Sequence, residues 1–102
     1  VNRARWGKRG GKKKIHDAVS FPLQKLDLTD FLERESKHTA LFDLHACVVH
    51  HGRGIDTGHY TCLSKDPERQ NTWLQFDDLK VKTVEKNVIK NAQAYLLFYN
   101  QL

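Results

Sequence analysis

The stretch that decides the fold is Phe42-Asp43-Leu44-His45-Ala46-Cys47-Val48, in which apolar and polar side chains alternate. Successive side chains of a β-strand point to opposite sides, so a period of two indicates a strand with one buried face. The sequence therefore predicts a half-buried strand here, with Asp43, His45 and Cys47 pointing away from the apolar face. That predicted apolar face consists of Phe42, Leu44, Ala46 and Val48.

More strands are predicted downstream of this one. They cover residues 59–63, 73–76 and 79–83, with a turn marked by Asp66-Pro67. The segment 94–99 is apolar on both faces, which is typical of a strand in the middle of a sheet. The pattern of short strands joined by turns predicts a sheet that is mostly antiparallel.

Upstream of residue 42, residues 15–21 are predicted to form a strand that Pro22 ends, since proline cannot donate to a strand ladder. Residues 26–32 predict a short helix with Asp27 or Thr29 as its N-cap, and the polar residues 33–39 predict a loop. Val84, Val88 and Ile89 suit one or two further turns of helix. The predicted fold class is α+β, a mostly antiparallel sheet with one or two short helices.

Composition limits the kind of protein this is. A chain of 102 residues forms at most one small domain, and 39% hydrophobic with 28% charged residues is ordinary for a soluble globular protein. No run of eighteen apolar residues exists, so no membrane partner is expected. Only two cysteines are present, which favours a cytoplasmic or nuclear protein. The start at Val1, without an initiator methionine, is typical of a segment of a longer protein.

Much of the net charge of +5 comes from the basic stretch KRGGKKK at residues 8–14. Such stretches can bind nucleic acid or act as nuclear-import signals. Two glycines in the middle of the stretch favour a solvated hairpin turn instead. A nucleic-acid partner is therefore not expected.

His59 stands at the predicted start of a strand, directly after the glycine-rich segment HHGRGIDTG at residues 50–58. A histidine in this position is held by the sheet but exposed at its rim, which suits a general base. Gly58 allows another part of the backbone to approach closely, and the ring of Tyr60 can line a cleft. A single histidine is more often structural, so this position alone does not establish catalysis.

Asp77 and Asp78 follow the apolar end of the strand at Phe76, where a carboxylate needs a donor partner. Adjacent strand residues face opposite ways, so only one of the two acids is expected to point at His59. A histidine oriented by a carboxylate is the base half of a nucleophilic triad. On these residues alone, a surface turn in which Asp78 caps the next segment explains the pair equally well.

Several motifs, in one order and over essentially the whole chain, resemble the histidine box of ubiquitin-specific proteases and the segment that precedes it. The resemblance covers the flanking aromatic residues as well as the spacing. The motifs are Arg3-Ala4-Arg5-Trp6, Phe21-Pro22-Leu23, Leu26-Asp27-Leu28, Val48-Val49-His50-His51-Gly52, Thr57-Gly58-His59-Tyr60-Thr61, Trp73 with Phe76-Asp77-Asp78, and Ala92-Gln93-Ala94-Tyr95-Leu96-Leu97-Phe98-Tyr99.

The resemblance implies a papain-like cysteine protease fold, with this segment forming part of the palm. His59 would be the general base, Asp77 the carboxylate that orients it, and Asp78 a supporting acid. The reaction would be hydrolysis of the bond after the C-terminal glycine of ubiquitin, through an acyl-enzyme and without a metal or other cofactor. Ubiquitin and a ubiquitinated protein would be the partners.

The resemblance also implies how ubiquitin binds. The loop at residues 50–58 would lie over the active-site channel, and His50, Gly58 and Tyr60 would contact the C-terminal tail of ubiquitin. Phe21, in the segment before the box, would also belong to the residues that bind the tail, near a second loop over that channel.

The sequence departs from the family in one respect, because the cysteine box that carries the nucleophile is absent. Cys47 and Cys62 lie inside predicted strands between apolar residues, where cysteines are usually buried and inert. Residues 1–102 are therefore interpreted as the C-terminal portion of a catalytic domain, with the missing N-terminal half as a partner. Alone, this portion is predicted to be inactive.

Two other interpretations remain open at this point. One is a zinc site, because histidine and cysteine are zinc ligands. The candidate ligands, which lack the paired spacing of a closed zinc site, are His45, Cys47, His50, His51 and Cys62. Alternatively, the chain is a non-catalytic ubiquitin-binding or scaffolding part of a pseudo-deubiquitinase. Retention of both His59 and Asp77 argues against the second interpretation, because a binding surface alone has no use for that pair.

Overall fold

The computed structural model describes residues 1–7, 10–33 and 38–102, so residues 8–9 of the basic stretch and 34–37 of the predicted loop lie outside the described residues. The predicted α+β class, dominated by antiparallel strands, is confirmed. The elements are β1 (Ala4–Trp6), β2 (Lys12–Lys14), β3 (Leu26–Asp27), a 3₁₀ turn (Thr29–Phe31), β4 (Leu41–His51), β5 (His59–Lys65), β6 (Trp73–Asp77), β7 (Lys80–Val84), α1 (Lys86–Lys90) and β8 (Ala94–Gln101).

Strand β4 organises the main sheet, because three other strands pair with it. β5 pairs with β4 and continues through β6 and β7 as a meander of antiparallel neighbours. β8, the last strand, returns to pair with β4 from Phe42 to Val49, and β3 pairs with the first two residues of β4. The first two strands form a separate antiparallel pair, which confirms the predicted basic hairpin for the residues that the structure describes.

A β-bulge in β4 changes the predicted alternation. Leu44 and Ala46 pair with consecutive residues of β8, so His45 is an extra residue in β4. The insertion reverses the alternation, and Cys47 lies fully buried with Leu44 while His45 is exposed. The strand was therefore predicted correctly, but the prediction that Cys47 faces away from the apolar side was wrong.

Two predictions upstream of β4 were also wrong. Residues 15–21 contain no strand, and the strand in this region is the shorter β2. Instead of a helix at residues 26–32, Leu26 and Asp27 pair with β4 and only a 3₁₀ turn follows. The carboxylate of Asp27 accepts a hydrogen bond from the backbone N–H of Thr29, at 2.9 Å. This bond begins the 3₁₀ turn directly after β3, and no longer helix forms.

The core lies on one side of the sheet, where α1 contributes the fully buried Ile89. Strand β8 was predicted to lie in the middle of the sheet, but within the described part of the chain it pairs only with β4, and Leu96 and Phe98 are about half exposed. No helix in the described ranges is long and apolar enough to span a bilayer. The buried hydrophobic cluster is Leu23, Leu44, Cys47, Val49, Leu63, Trp73, Ile89 and Ala94.

Candidate active site

Antiparallel pairing of β5 with β6 brings His59 and Asp77 together. Cys62 pairs with Phe76, so the first residues of β5 lie beside the last residues of β6. His59 begins β5 and Asp77 ends β6, and His59 Nε2 lies 2.5 Å from Asp77 Oδ1. Both side chains are just over 40% exposed, so the pair is held by the sheet while remaining open to solvent.

The chemistry of the pair fixes which nitrogen of His59 carries the proton. A hydrogen bond with His59 holds the pKa of Asp77 below its ordinary range, so the carboxylate is ionised and can only accept. Nε2 of His59 is therefore the donor, and in the neutral ring Nδ1 keeps a free lone pair. The hydrogen bond that His59 donates to Asp77, with smaller contributions from the charges of Asp77 and Asp78, raises the pKa of His59 against the opposing effect of desolvation.

Asp78 lies closer to the histidine than strand alternation predicts. Its Oδ2 is 3.9 Å from His59 Nε2, although its side chain is 81% exposed. The reason is local backbone geometry, because β6 ends at Asp77 and Asp78 adopts a left-handed φ of +50° at the turn into β7. Alternation therefore does not apply to Asp78, and both carboxylates approach the same imidazole.

Gly58 occupies a position that admits no side chain. Its φ is +133°, and a Cβ there would lie 2.0 Å from the carbonyl oxygen of His51 and 2.9 Å from Nε2 of His50. Another part of the backbone therefore does approach Gly58 closely, as the sequence predicts, while contact of Gly58 with a ubiquitin tail stays a prediction. The close approach allows the loop at residues 50–58 to close so that His59 pairs with His51 across the two strands.

Two of the predicted tail-binding residues lie together. The rings of His50 and Tyr60 are 4.7 Å apart, and Tyr95 of β8 adds a third ring to this cluster. His50 is 6% exposed and Tyr60 52%, so the tyrosine presents the accessible surface. Phe21 lies elsewhere, packed against the hydrophobic core.

His51, which the sequence suggested only as a possible zinc ligand, lies next to His59. Its ring stacks toward that of His59, with centroids 6.4 Å apart and planes inclined by 30°. His51 Nε2 lies 2.8 Å from the hydroxyl of Thr61, a buried residue two positions after His59. The register of the β4–β5 hairpin places His51 opposite His59. The sequence alone could predict this neighbour only if the ends of both strands were known.

Lys14 was also missed, and it connects the basic hairpin to the loop. Its ammonium donates hydrogen bonds to the carbonyls of His50 and Gly52, at 2.8 and 3.0 Å. Burial, with repulsion from Arg3 as the smaller cause, lowers the pKa of Lys14. A cavity of about 360 Å³ opens beside these contacts, and its lining includes Lys14, His16, His51, Thr61, Gln75 and Gln93.

Neither cysteine has the character of a nucleophile. Burial, followed by a smaller effect of Cys62, raises the pKa of Cys47 to about 11, and burial also raises the pKa of Cys62. Thiols with raised pKa values stay protonated at neutral pH, and the thiolate is the reactive form.

The residues weighed earlier as a zinc site do not come together. Within the described ranges, the one group of three potential metal-ligating side chains whose atoms lie within 4.8 Å of one another is His59, Asp77 and Asp78. This trio offers one nitrogen and two carboxylates, which would suit a divalent cation as well as a proton. Its first two members are joined directly by the hydrogen bond between His59 and Asp77.

The sequence matches the family model described as ubiquitin carboxyl-terminal hydrolase over residues 1–99. Ubiquitin carboxyl-terminal hydrolase 9 of Arabidopsis thaliana is 38% identical over 91 residues, which cover 89% of this chain and 10% of that protein. Ubiquitin carboxyl-terminal hydrolase 3 of Homo sapiens is 37% identical, over 86% of this chain and 17% of that protein. The chain thus spans less than a fifth of these relatives.

Solved structures are also similar to this chain, over nearly its whole length. A chain of the SAGA Ubp8/Sgf11/Sus1/Sgf73 DUB module bound to ubiquitin aldehyde superposes with a TM-score of 0.87 at 25% identity, covering 98% of this chain and 23% of that one. A SAGA DUB module bound to monoubiquitin gives a TM-score of 0.85 at 27% identity, covering 98% of this chain and 22% of the other.

Proposed function

Because the chain belongs to the ubiquitin carboxyl-terminal hydrolase family, we propose that it supplies the general base and the orienting carboxylate of a deubiquitinating cysteine protease. The observation that carries the proposal is the 2.5 Å hydrogen bond between His59 Nε2 and Asp77, which leaves Nδ1 free. In this proposal the nucleophilic cysteine comes from another part of the longer protein, since the two thiols here have raised pKa values.

Each step of the reaction uses Nδ1 of His59. It takes the proton of the thiol, and the thiolate attacks the carbonyl carbon of the last glycine of ubiquitin. The imidazolium formed is stabilised by Asp77, with Asp78 3.9 Å away, and it returns the proton to the departing amine. Nδ1 then deprotonates a water molecule, whose attack on the thioester releases ubiquitin and restores the thiol.

The loop at residues 50–58 and the adjacent ring cluster would hold the ubiquitin tail. A narrow channel suits a tail that ends in glycine, and Gly58 keeps side-chain atoms out of the space beside His50 and His51. The exposed ring of Tyr60 offers an apolar wall next to the base. In this proposal His50, Gly58 and Tyr60 contact the tail directly, and Phe21 supports a neighbouring loop through the core.

The missing N-terminal half of the catalytic domain is the second proposed partner. Val48 pairs with Leu96 on one side and Cys62 on the other, and Phe76 and Val81 continue the row across the sheet. Three of these side chains are 39–56% exposed, which is a large apolar surface for a soluble protein.

Both cysteines are free thiols, which fits the proposed cytoplasmic or nuclear location.

The test compares variants of the intact protein that contains this segment. His59→Ala should abolish release of a fluorophore from the C-terminus of ubiquitin, because the variant lacks the imidazole that Asp77 orients to take the thiol proton. His45→Ala is the matched control, since it removes an exposed histidine from the bulge of β4. Circular dichroism and thermal unfolding establish that each variant folds.

Two results would contradict the proposal. One is turnover that survives His59→Ala in a folded protein. The other is an intact protein that binds ubiquitin without hydrolysing it, which would assign the chain to a pseudo-deubiquitinase. Residues 1–102 alone should show no hydrolysis in the same assay, and activity of this segment would mean that Cys47 or Cys62 is the nucleophile.

A further inference from the structure

The excess of positive over negative charge in the protein comes from its first sixteen residues. This segment holds seven lysines and arginines and no acidic residue. Residues 17–102 hold ten lysines and arginines against twelve acids, a net charge of −2. The sequence pI of 9.4 therefore reflects one local feature, the hairpin of β1 and β2, and not a generally basic surface.

The pairing of the hairpin sorts its side chains onto two faces. Trp6 pairs with Lys12 and Ala4 with Lys14, so these four side chains share one face, which we call the Trp6 face. Trp6 is 69% exposed, and the ammonium of Lys12 lies 5.4 Å from the centre of its ring. An exposed tryptophan beside a cation is typical of residues that anchor a partner.

The Trp6 face borders the candidate active site. Lys14, on this face, donates hydrogen bonds to the carbonyls of His50 and Gly52, where the loop at residues 50–58 begins. His16, just beyond the hairpin, lies 3.3 Å from the carbonyl of Arg53 in the same loop. A molecule that extends along this face from Trp6 to Lys14 therefore reaches the loop that leads to His59.

We infer that the Trp6 face binds an acidic segment of the ubiquitin-bearing protein, close to the lysine that carries ubiquitin. The inference rests on the proposed function, because it places the substrate by the active site. A carboxylate of the substrate pairs with the ammonium of Lys12, while an adjacent aliphatic stem packs on the ring of Trp6. Arg5 and Lys13, on the opposite face, add to the attraction that guides the segment to the hairpin.

Charge distribution favours an acidic polypeptide over a nucleic acid. A nucleic-acid strand carries a phosphate at every nucleotide and gains affinity from each one neutralised, so it needs a continuous basic track. Beyond the hairpin the chain is acidic on balance, and it would repel the following phosphates. The same cations also keep the hairpin at the surface of the intact protein, since burying unpaired ammonium groups is costly.

The first test uses the intact protein and two ubiquitin–peptide conjugates joined by an isopeptide bond. One peptide carries Asp and Glu beside the modified lysine, and the other carries Ser and Gln in the same places. We expect a KM roughly tenfold lower for the acidic conjugate. Trp6→Ala and Lys12→Glu should remove this preference, while release of a small fluorophore from ubiquitin stays unchanged. The control is Lys82→Glu, which makes the same charge change on the exposed strand β7. This variant should keep the preference for the acidic conjugate.

A second measurement does not depend on turnover. The fluorescein-labelled acidic peptide should bind the intact His59→Ala protein, and the affinity should fall about tenfold with Trp6→Ala and as salt rises from about 0.1 to 0.5 M. Absence of binding, or an equal loss with Lys82→Glu, would overturn the inference. So would a single-stranded oligonucleotide that binds through Trp6 and displaces the peptide. Failure of the wild-type protein to cleave any ubiquitin substrate, with peptide binding intact, would instead overturn the proposed function.

Discussion

Replacement of Gly58 by alanine should damage both stability and turnover, and two other glycines allow the causes to be separated. The added Cβ would lie 2.0 Å from the carbonyl oxygen of His51, 1 Å closer than the 3.0 Å that real Cβ atoms keep. The obstacle is backbone, which cannot rotate away as a long side chain would. Either the loop or the paired ends of β4 and β5 must therefore shift by about 1 Å.

The magnitude follows from two contributions. Alanine at a positive φ costs about 1–2 kcal/mol, and forcing atoms into a packed site costs a further ~1–3 kcal/mol. Gly10→Ala carries only the first cost, since its φ is +81° and its Cβ would meet nothing within 4 Å. Gly54→Ala carries neither, because its nearest contact would be 3.9 Å away. Misplacing a catalytic group by about 1 Å lowers turnover about 10²-fold, and His59 follows Gly58 directly.

The assay is denaturant unfolding of each intact variant together with kcat/KM on a ubiquitin–fluorophore substrate, corrected for the folded fraction. We expect unfolding free energies to fall in the order Gly54→Ala, Gly10→Ala, Gly58→Ala, with the loss of turnover confined to the last. If Gly58→Ala unfolds like Gly10→Ala and keeps wild-type turnover, then the loop does not fix the position of His59.

Three further predictions concern His59 and the residues around it. Asp77→Asn should lower kcat by about 10²- to 10⁴-fold, and Asp78→Asn by less than about tenfold, since Asp78 is 81% exposed and 3.9 Å from the ring; steady-state kinetics showing the reverse order would reassign the orienting carboxylate. The raised pKa of His59 adds stability below about pH 6.5 that is lost as pH rises through the raised value, and the lowered pKa of Asp77 adds stability above about pH 4 that is lost as pH falls through the lowered value. The difference in unfolding free energy between wild type and Asp77→Asn should therefore be largest between about pH 4 and 6.5. If that difference is the same at pH 5 as at pH 9, the pairing of His59 with Asp77 is contradicted. His51→Ala should lower kcat about tenfold with little change in KM, because the ring that stacks on His59 is lost; the same loss in His45→Ala would show that the effect is not specific.

The parts of the site that the sequence predicted are those set by local strand chemistry. His59 follows a glycine-rich loop and Asp77 ends an apolar strand, so both could be placed at strand ends without knowing the rest of the sheet. Position alone could not give the conformation of Asp78, because its positive φ arises in the turn to β7. His51 was missed for a related reason, since its approach to His59 depends on how far β4 continues.

The wrong predictions about the fold involve distant pairing. The bulge at His45 exists because β4 must match β8, which lies about fifty residues further along the chain. Residues 26–32 have a helical pattern, but pairing of Leu26 and Asp27 with β4 overrides it. β8, which pairs with β4, and β4, which pairs with residues 26–27, both lie outside the local stretch of sequence whose periodicity is read. The face on which Cys47 lies and the structure of residues 26–32 therefore could not be predicted from periodicity.

Pairing of β4 with β8 also sets the order in which the protein can fold during synthesis. Phe42 pairs with Gln101, so one edge of β4 has no partner until the ribosome has added nearly sixty more residues. At about 5–20 residues per second, this takes roughly 3–12 s. During that time the backbone of β4 offers unpaired N–H and C=O groups to any other extended chain. Slow codons between residues 52 and 93 would lengthen this exposure, and more of the newly made protein would aggregate before its sheet is complete.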